Sequence, residues 1–337
     1  MSLSSMILDL SPVKVPSETE TSKSQEDAVY IPPEGVYFRL LGYVSQHVLF
    51  SRTFRTDPAV GHNPMADEHD DQYFTLIHGT GSRKGTYAIK SKVTGYVLYS
   101  RTFRNPHVGH TPGDGEFGDN WFEIEMGTGK RAGHFRLVTP EVGVALFSRT
   151  FRKPYIGNNP AHEVYDDQYF SFLFEDMKVD KVEYDLKEGK IISTTPMVLT
   201  NQTLENKSDH EQEMSFALNK TVTHTSSFQY TTGFTITIGS TFSAGIPGVG
   251  EIGLTLDRSF SNEWTWGKED SVAKSYTATF PVKAGPKQTV RAVSTVNKCD
   301  LDVPYTIYMS SKSTGTKVET KGIWRGVTTW NLRHKIE

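Results

Sequence analysis

Three groups of side chains, set about 48 residues apart, are the clearest bearers of chemistry in this chain. One holds Arg101, His107, Val108, Gly109, His110, Asp119 and Asn120. A second holds Arg149, Tyr155, Ile156, Gly157, Asn158, Asp167 and Gln168. A third, sparser group holds Arg52, Gly61, His62, Asp71 and Gln72. Arginine is a rigid planar fork of donors and aspartate a strong acceptor, a combination suited to the vicinal hydroxyls of a sugar. An aromatic face suits the C–H side of the same ring, and glycine in a tight turn lets a ligand come close to the backbone. The residue before each Val/Ile-Gly turn is Ala59, His107 or Tyr155. Copies two and three therefore offer a ring for stacking and copy one does not. The expectation is that copies two and three bind sugar well and copy one weakly or not at all.

The elements that position these groups are repeats. "FSRTF" at residues 50–54, "YSRTFR" at 99–104 and "FSRTFR" at 147–152 are followed by matching Pro, Gly and Asp positions. Each copy opens with a short strand after a glycine, at residues 36–40, 86–90 and 135–138. Short strands at even spacing with turn signals between them are the mark of an all-β fold. Glycine-rich pieces at 79–85 and 127–131 lack the spacing of a phosphate loop and read as one inter-repeat turn seen twice. Three copies of about 48 residues predict a β-trefoil over residues 29–176. Its repeat ends, Gln72/Phe74, Asn120/Phe122 and Gln168/Phe170, resemble the Gln-x-Trp ends of ricin-B-type lectins. Phe50, Tyr99, Phe147, Phe74, Phe122 and Phe170 are expected in the core. Gln72 and Gln168 also admit a purely structural role, satisfying backbone groups.

Residues 177–337 are different material, rich in Thr and Ser with long alternation. Residues 305–310 and 318–324 read as exposed strands of an elongated sheet. Over residues 228–266 the even positions are mostly apolar, including Phe234, Ile236, Ile238, Phe242, Ile252, Leu254, Leu256 and Phe260, and the odd positions mostly Thr, Ser and Gly. A turn is expected at 245–250. Each arm is longer than an ordinary strand of about 5–6 residues and exceeds the roughly 9–11 residues that cross a bilayer. The pattern predicts a membrane-inserting hairpin with Trp264 and Trp266 at the interface. Glu251, Asp257 and Glu263 would face a cation-preferring lumen. Arg258 stands on the apolar face and counts against this reading unless it lies near a headgroup. A lone hairpin leaves edge backbone groups unpaired in lipid, so insertion demands a homo-oligomeric barrel.

Bulk composition sets further limits. The 337 residues carry a net charge of -3, no basic footprint for nucleic acid. Cys299 is the single cysteine, so the chain has neither an internal disulfide framework nor a cysteine-based metal site. Neither cofactor nor metal is expected. The acids show no paired arrangement for glycoside hydrolysis, and His162-Glu163 lacks the second His of a zinc helix. The expectation is that the chain is not an enzyme. Residues 1–28 read as a disordered or loosely docked arm without a secretory leader. Production as a soluble protein, cytoplasmic or non-classically released, follows as an expectation, with action at a target-cell membrane.

The stretches "YIPPEGVYFRLLG", "DDQYFSFLFEDMKVDKVEYDLKEGK", "QEMSF", "YTATFPVKAGP" and "GIWRGV" resemble the haemolytic pore-forming lectins of the sulphur shelf mushroom, Laetiporus sulphureus, and its relatives. The resemblance covers about residues 30–335. It implies a β-trefoil lectin joined to an aerolysin-like module, binding of galactose-type glycans such as lactose and N-acetyllactosamine, oligomerisation and barrel insertion. The sugar positions it implies fall around Val108–Gly109 and at residues 156–158. The remaining rival is a non-lytic lectin whose second half only mediates oligomerisation.

Overall fold

The computed structural model describes residues 29–54 and 58–337, and for residues 257–260 the backbone alone. The arm expected over 1–28, and the side-chain roles expected of Asp257 and Phe260, lie outside the described residues.

Each repeat contributes four strands. The first gives β1 (Phe38–Gly42), β2 (Val48–Ser51), β3 (Val60–Asn63) and β4 (Phe74–His78). The second gives β5 (Tyr87–Ser91), β6 (Val97–Ser100), β7 (Val108–Thr111) and β8 (Trp121–Met126). The third gives β9 (Phe135–Thr139), β10 (Val144–Ser148), β11 (Ile156–Pro160) and β12 (Tyr169–Phe174). The outer strands of each repeat close a six-stranded barrel: β1 pairs β4, β4 pairs β5, β5 pairs β8, β8 pairs β9, β9 pairs β12 and β12 returns to β1. The inner strands form three hairpins, β2–β3, β6–β7 and β10–β11. Phe38, Phe74, Phe122, Phe135 and Phe170 fill the barrel with no solvent exposure. This is a β-trefoil. Threefold closure leaves the barrel without a free edge, which is why the chain must write each unit three times.

The second half consists of β13 (Met177–Tyr184), β14 (Lys190–Glu205), β15 (Gln212–Gly233), β16 (Thr241–Gly250), β17 (Gly253–Thr265), β18 (Glu269–Ala284), β19 (Thr289–Ser311) and β20 (Lys317–Ile336). Six of these form one antiparallel sheet in the order β13-β19-β20-β15-β18, with β14 also on β19. At the far end it folds into two layers, and Leu199 of β14 and Val296 of β19 pack on Leu218, Val222 and Tyr276 of β15 and β18. The strands expected to be exposed at 305–310 and 318–324 are central instead. Tyr305, Ile307, Met309, Val318 and Trp324 are all buried. Alternation shows that one face is apolar but cannot tell water from a second layer on it, and here the second layer is the β16–β17 hairpin.

The halves meet at an aromatic joint. Phe174, ending the trefoil, lies 4.8 Å from Phe234, and Tyr30 packs edge-on to both. The β19–β20 turn reaches back to the trefoil, with Thr314 Oγ1 donating to Gly35 O at 2.5 Å and Ser313 Oγ to Glu175 Oε2 at 2.8 Å.

Candidate glycan pockets and the docked hairpin

The Ser-Arg-Thr-Phe phrase builds the same device in every repeat. The strand ring before the arginine lies under its guanidinium: Arg52 is 3.4 Å from the Phe50 ring centre, Arg101 3.8 Å from Tyr99 and Arg149 3.9 Å from Phe147. The phrase's own phenylalanine lies farther from the same guanidinium, at 5.5 Å for Phe54, 5.7 Å for Phe103 and 5.8 Å for Phe151. These phenylalanines are exposed to 69%, 73% and 66%, a cost that the core does not require. The repeat aspartate, fixed on a short 3-10 turn, meets the arginine. Arg52 Nε is 3.1 Å from Asp71 Oδ2, Arg149 Nη1 3.7 Å from Asp167 Oδ2 and Arg101 Nη1 3.9 Å from Asp119 Oδ2. Burial pushes the Asp119 and Asp167 carboxyls up and their arginines pull them back. Burial also lowers Arg149. Asp71 Oδ1 and Asp167 Oδ1 are buried without a hydrogen-bond partner among the described residues. Buried acceptors of that kind are costly unless a ligand or water satisfies them. Around the second repeat's arginine, Tyr99, Arg101, Phe103, Phe117 and Asp119, with Glu141 from the third repeat, line a pocket of about 470 Å³.

The turn residues face elsewhere, which corrects part of the sequence reading. Gln72, Asn120 and Gln168 have no solvent exposure and serve backbone groups. Gln72 Nε2 donates to Pro64 O, Asn120 Nδ2 to Leu98 O and Gln168 Nε2 to Glu163 O. Gly61, Gly109 and Gly157 accommodate the neighbouring strand ring. A Cβ at Gly157 would stand 2.5 Å from Phe147 Cζ, and one at Gly109 would collide with Tyr99. Val108 packs in the barrel core with Ile156 against it. His62, His110 and Asn158 reach across the pseudo-threefold axis to the serine of another repeat. The three contacts are His62 Nδ1 to Ser148 Oγ at 2.7 Å, His110 Nδ1 to Ser51 Oγ at 2.7 Å and Asn158 Nδ2 to Ser100 Oγ at 2.9 Å. The variable position stays at the surface. His107 is exposed and Tyr155 is 44% exposed, with one face stacked 5.9 Å from His62. The arginines and aspartates are thus brought together at the rim. The exposed phenylalanines join them, although nothing in the reading of the phrase set Phe54, Phe103 or Phe151 apart from its core rings. Their repetition at one offset from the arginine was the available signal.

The hairpin is shorter than expected. Residues 228–233 belong to β15, where Phe228 pairs with Trp324 of β20. Gly233, with φ 105, ends that strand. Residues 234–240 then cross to β16. Phe234 and Ile236 are buried and Ile238 is 44% exposed, all outside the hairpin. The expected turn at 245–250 is strand, and the tip is Glu251-Ile252, with Ile252 fully exposed. Between Gly245 and Ile246 the partner jumps from Ser261 to Asp257, so the strict period of two is interrupted there. Above that bulge the faces separate cleanly. Phe242 and Ala244 of β16 and Trp264 of β17 point into the sheet, while Thr241, Ser243 and Glu263 are exposed. Leu254 packs against the same core and Leu256 is half-buried. Trp264 and Trp266, expected at an interface, are each 1% exposed. The hairpin forms a two-stranded sheet of its own. Side-chain burial holds it down, at roughly 1.5–3 kcal/mol for a residue such as Phe242. Tyr184 Oη donating to Gly245 O at 2.9 Å adds a hydrogen bond.

Residues 170–332 match the family described as Clostridium epsilon toxin ETX/Bacillus mosquitocidal toxin MTX2. The chain joins a β-trefoil to an aerolysin-like module. That is the organisation expected from its likeness to the Laetiporus haemolytic lectins. Natterin-1 of Thalassophryne nattereri is 30% identical over 149 residues, 43% of this chain and 41% of its own. Natterin-2 of the same fish is 28% identical over 161 residues, 46% and 42% of the two chains. The chain thus spans less than half the length of these curated relatives. Among solved structures, the BEL beta-trefoil in its apo crystal form 3 is 44% identical, covering 43% of this chain and 97% of that one at a TM-score of 0.41. The Lamprey immune protein is 18% identical over 92% of this chain and 94% of its own, also at 0.41. The aerolysin-like module therefore carries the docked hairpin, and the trefoil carries the arginine–aspartate pockets.

Proposed function

We propose that the protein is a lectin that binds galactose-type glycans through the second and third trefoil repeats, oligomerises on a target-cell membrane and inserts the β16–β17 hairpins as a β-barrel. The observation that carries the reading is the hairpin. It is amphipathic above its bulge, separate from the main sheet and docked apolar face down. Several copies could exchange that apolar cover for lipid and complete one another's ladders. The trefoil pockets supply a donor fork, a carboxylate and exposed rings, the three groups a galactoside needs. Lactose and N-acetyllactosamine are the ligands the resemblance favours. Weak single sites gain avidity when several engage one surface. No catalytic step is assigned to any residue. The deciding experiment is dye release from liposomes carrying a galactose-terminated glycolipid, with and without free lactose. Release blocked by lactose supports the reading. Glycolipid binding without release leaves the non-lytic lectin, and no binding overturns both.

A further inference from the structure

We infer that Glu141, which belongs to the third repeat, is a glycan-contacting residue of the second-repeat pocket and makes that pocket unlike the other two. The inference rests on the lectin reading above. Glu141 lies in the β9–β10 turn, yet it lines the pocket together with Arg101, Phe103 and Asp119. Its carboxylate sits against Gly118, where a Cβ would collide with it.

The three repeats provide an internal comparison. The residue before the repeat aspartate is Asp70 in the first repeat, Asp166 in the third and Gly118 in the second. Asp166 is held by Arg131 at 2.5 Å and Lys130 at 2.8 Å, and Asp70 by Lys92 at 2.8 Å. In the second repeat Gly118 leaves that space empty and Glu141 fills it from outside. Its ion pair to Arg83 is longer, at 3.5 Å, and its side chain remains 63% exposed. At the matching turn positions the other repeats carry Val44 and Val93. The second pocket thus takes the carboxylate beside Asp119 from another repeat, and its basic neighbour holds it less tightly than the acids of the other repeats are held.

Two carboxylates next to one arginine fork favour a ligand that can donate at least two hydrogen bonds at once. A galactoside offers this through adjacent hydroxyls, each of which can donate to a carboxylate oxygen. Hydrogen bonds to charged groups are the stronger kind, so neutralising Glu141 should weaken this pocket alone.

The test is calorimetric titration of lactose into the full chain, comparing Glu141→Gln with the parent, each also in an Arg149→Lys background that weakens the third pocket. Glutamine keeps an acceptor for Arg83. The expected result is at least a tenfold loss at the second pocket with the third unchanged. Parent-like affinity in Glu141→Gln overturns the inference and leaves Glu141 as a partner of Arg83. Absence of lactose binding in the parent overturns the lectin reading instead, and the two failures are thereby separated.

Discussion

His62 Nδ1 lies 2.7 Å from Ser148 Oγ, tying the first repeat to the third across 86 residues. With His110–Ser51 and Asn158–Ser100, this contact closes a ring in which every repeat holds one neighbour and is held by the other. Burial, and then the neighbouring His47, lowers the His62 imidazole to about 4. Burial lowers His110 as well. The fold therefore holds both rings neutral. A depressed folded pKa leaves stability intact above the ordinary histidine value near 6.5 and erodes it as pH falls from there towards about 4. The trefoil melting temperature should drop over that window. Asn158 already does this job without titrating, so the pair His62→Asn and His110→Asn should flatten the pH slope. Equal slopes in parent and variant, read by thermal unfolding between neutral pH and pH 4.5, would refute the assignment.

The glycines of the Val/Ile-Gly turns make a second case. If Gly157 serves the Phe147 ring, Gly157→Ala forces the ring or the strand to move, because the new Cβ would stand 2.5 Å from Phe147 Cζ. Overpacking of this kind costs typically about 1–3 kcal/mol. Urea unfolding should show that loss without any sugar present. Unchanged stability together with lost lactose binding would return the glycine to the ligand.

The trefoil was legible in the sequence because threefold closure demands the same turn, ring and buried amide at the same offset three times. The partners were less so. Asp119 follows Arg101 by eighteen residues, and their meeting depends on a strand, a loop and a 3-10 turn folding back. Still harder were His110 with Ser51 and Asn158 with Ser100, because each pair joins different repeats and local spacing says nothing about the axis. In the second half, period two identified the amphipathic arms but not their ends. Gly233 and the bulge at Gly245–Ile246 break the ladder while the alternation of residue types in the sequence runs on through them, so pattern alone overextends the hairpin.

The stacked arginine can be tested without removing charge. Arg149→Lys keeps a cation beside Asp167 but loses the planar fork over Phe147 and near Phe151. Lactose affinity at the third pocket should fall by about tenfold, on the scale of one charge-assisted hydrogen bond. The melting temperature should move little. An unchanged titration isotherm would mean that the arginine–ring contact is packing only.

On the hairpin, Glu263 projects from the exposed face beside Ser243, and Glu251 sits at the tip. If that face becomes the lumen, each subunit adds acids to the pore wall, and planar-bilayer recordings should show cation preference. Glu263→Lys should weaken or reverse it. Anion preference in the parent would oppose this placement of the faces.

The last prediction concerns release of the hairpin itself. Because β16 and β17 form their own sheet, one covalent tie to the main sheet should arrest them. Gly248 lies over β20, and a Cβ built there would be 3.8 Å from Thr328 Oγ1. Thr328 Oγ1 stands where a cysteine sulfur would, so sulfurs at the two positions come within reach of one another, the condition for a bridge. The double variant Gly248→Cys/Thr328→Cys, when oxidised, should bind galactosylated liposomes like the parent and release no dye. Reduction should restore release on the same sample, which separates a locked hairpin from a misfolded one. If the oxidised protein leaks dye at the parental rate, with the crosslink verified by mass spectrometry, the inserting segment is not β16–β17. The amphipathic face would then be only a cover for the sheet beneath it.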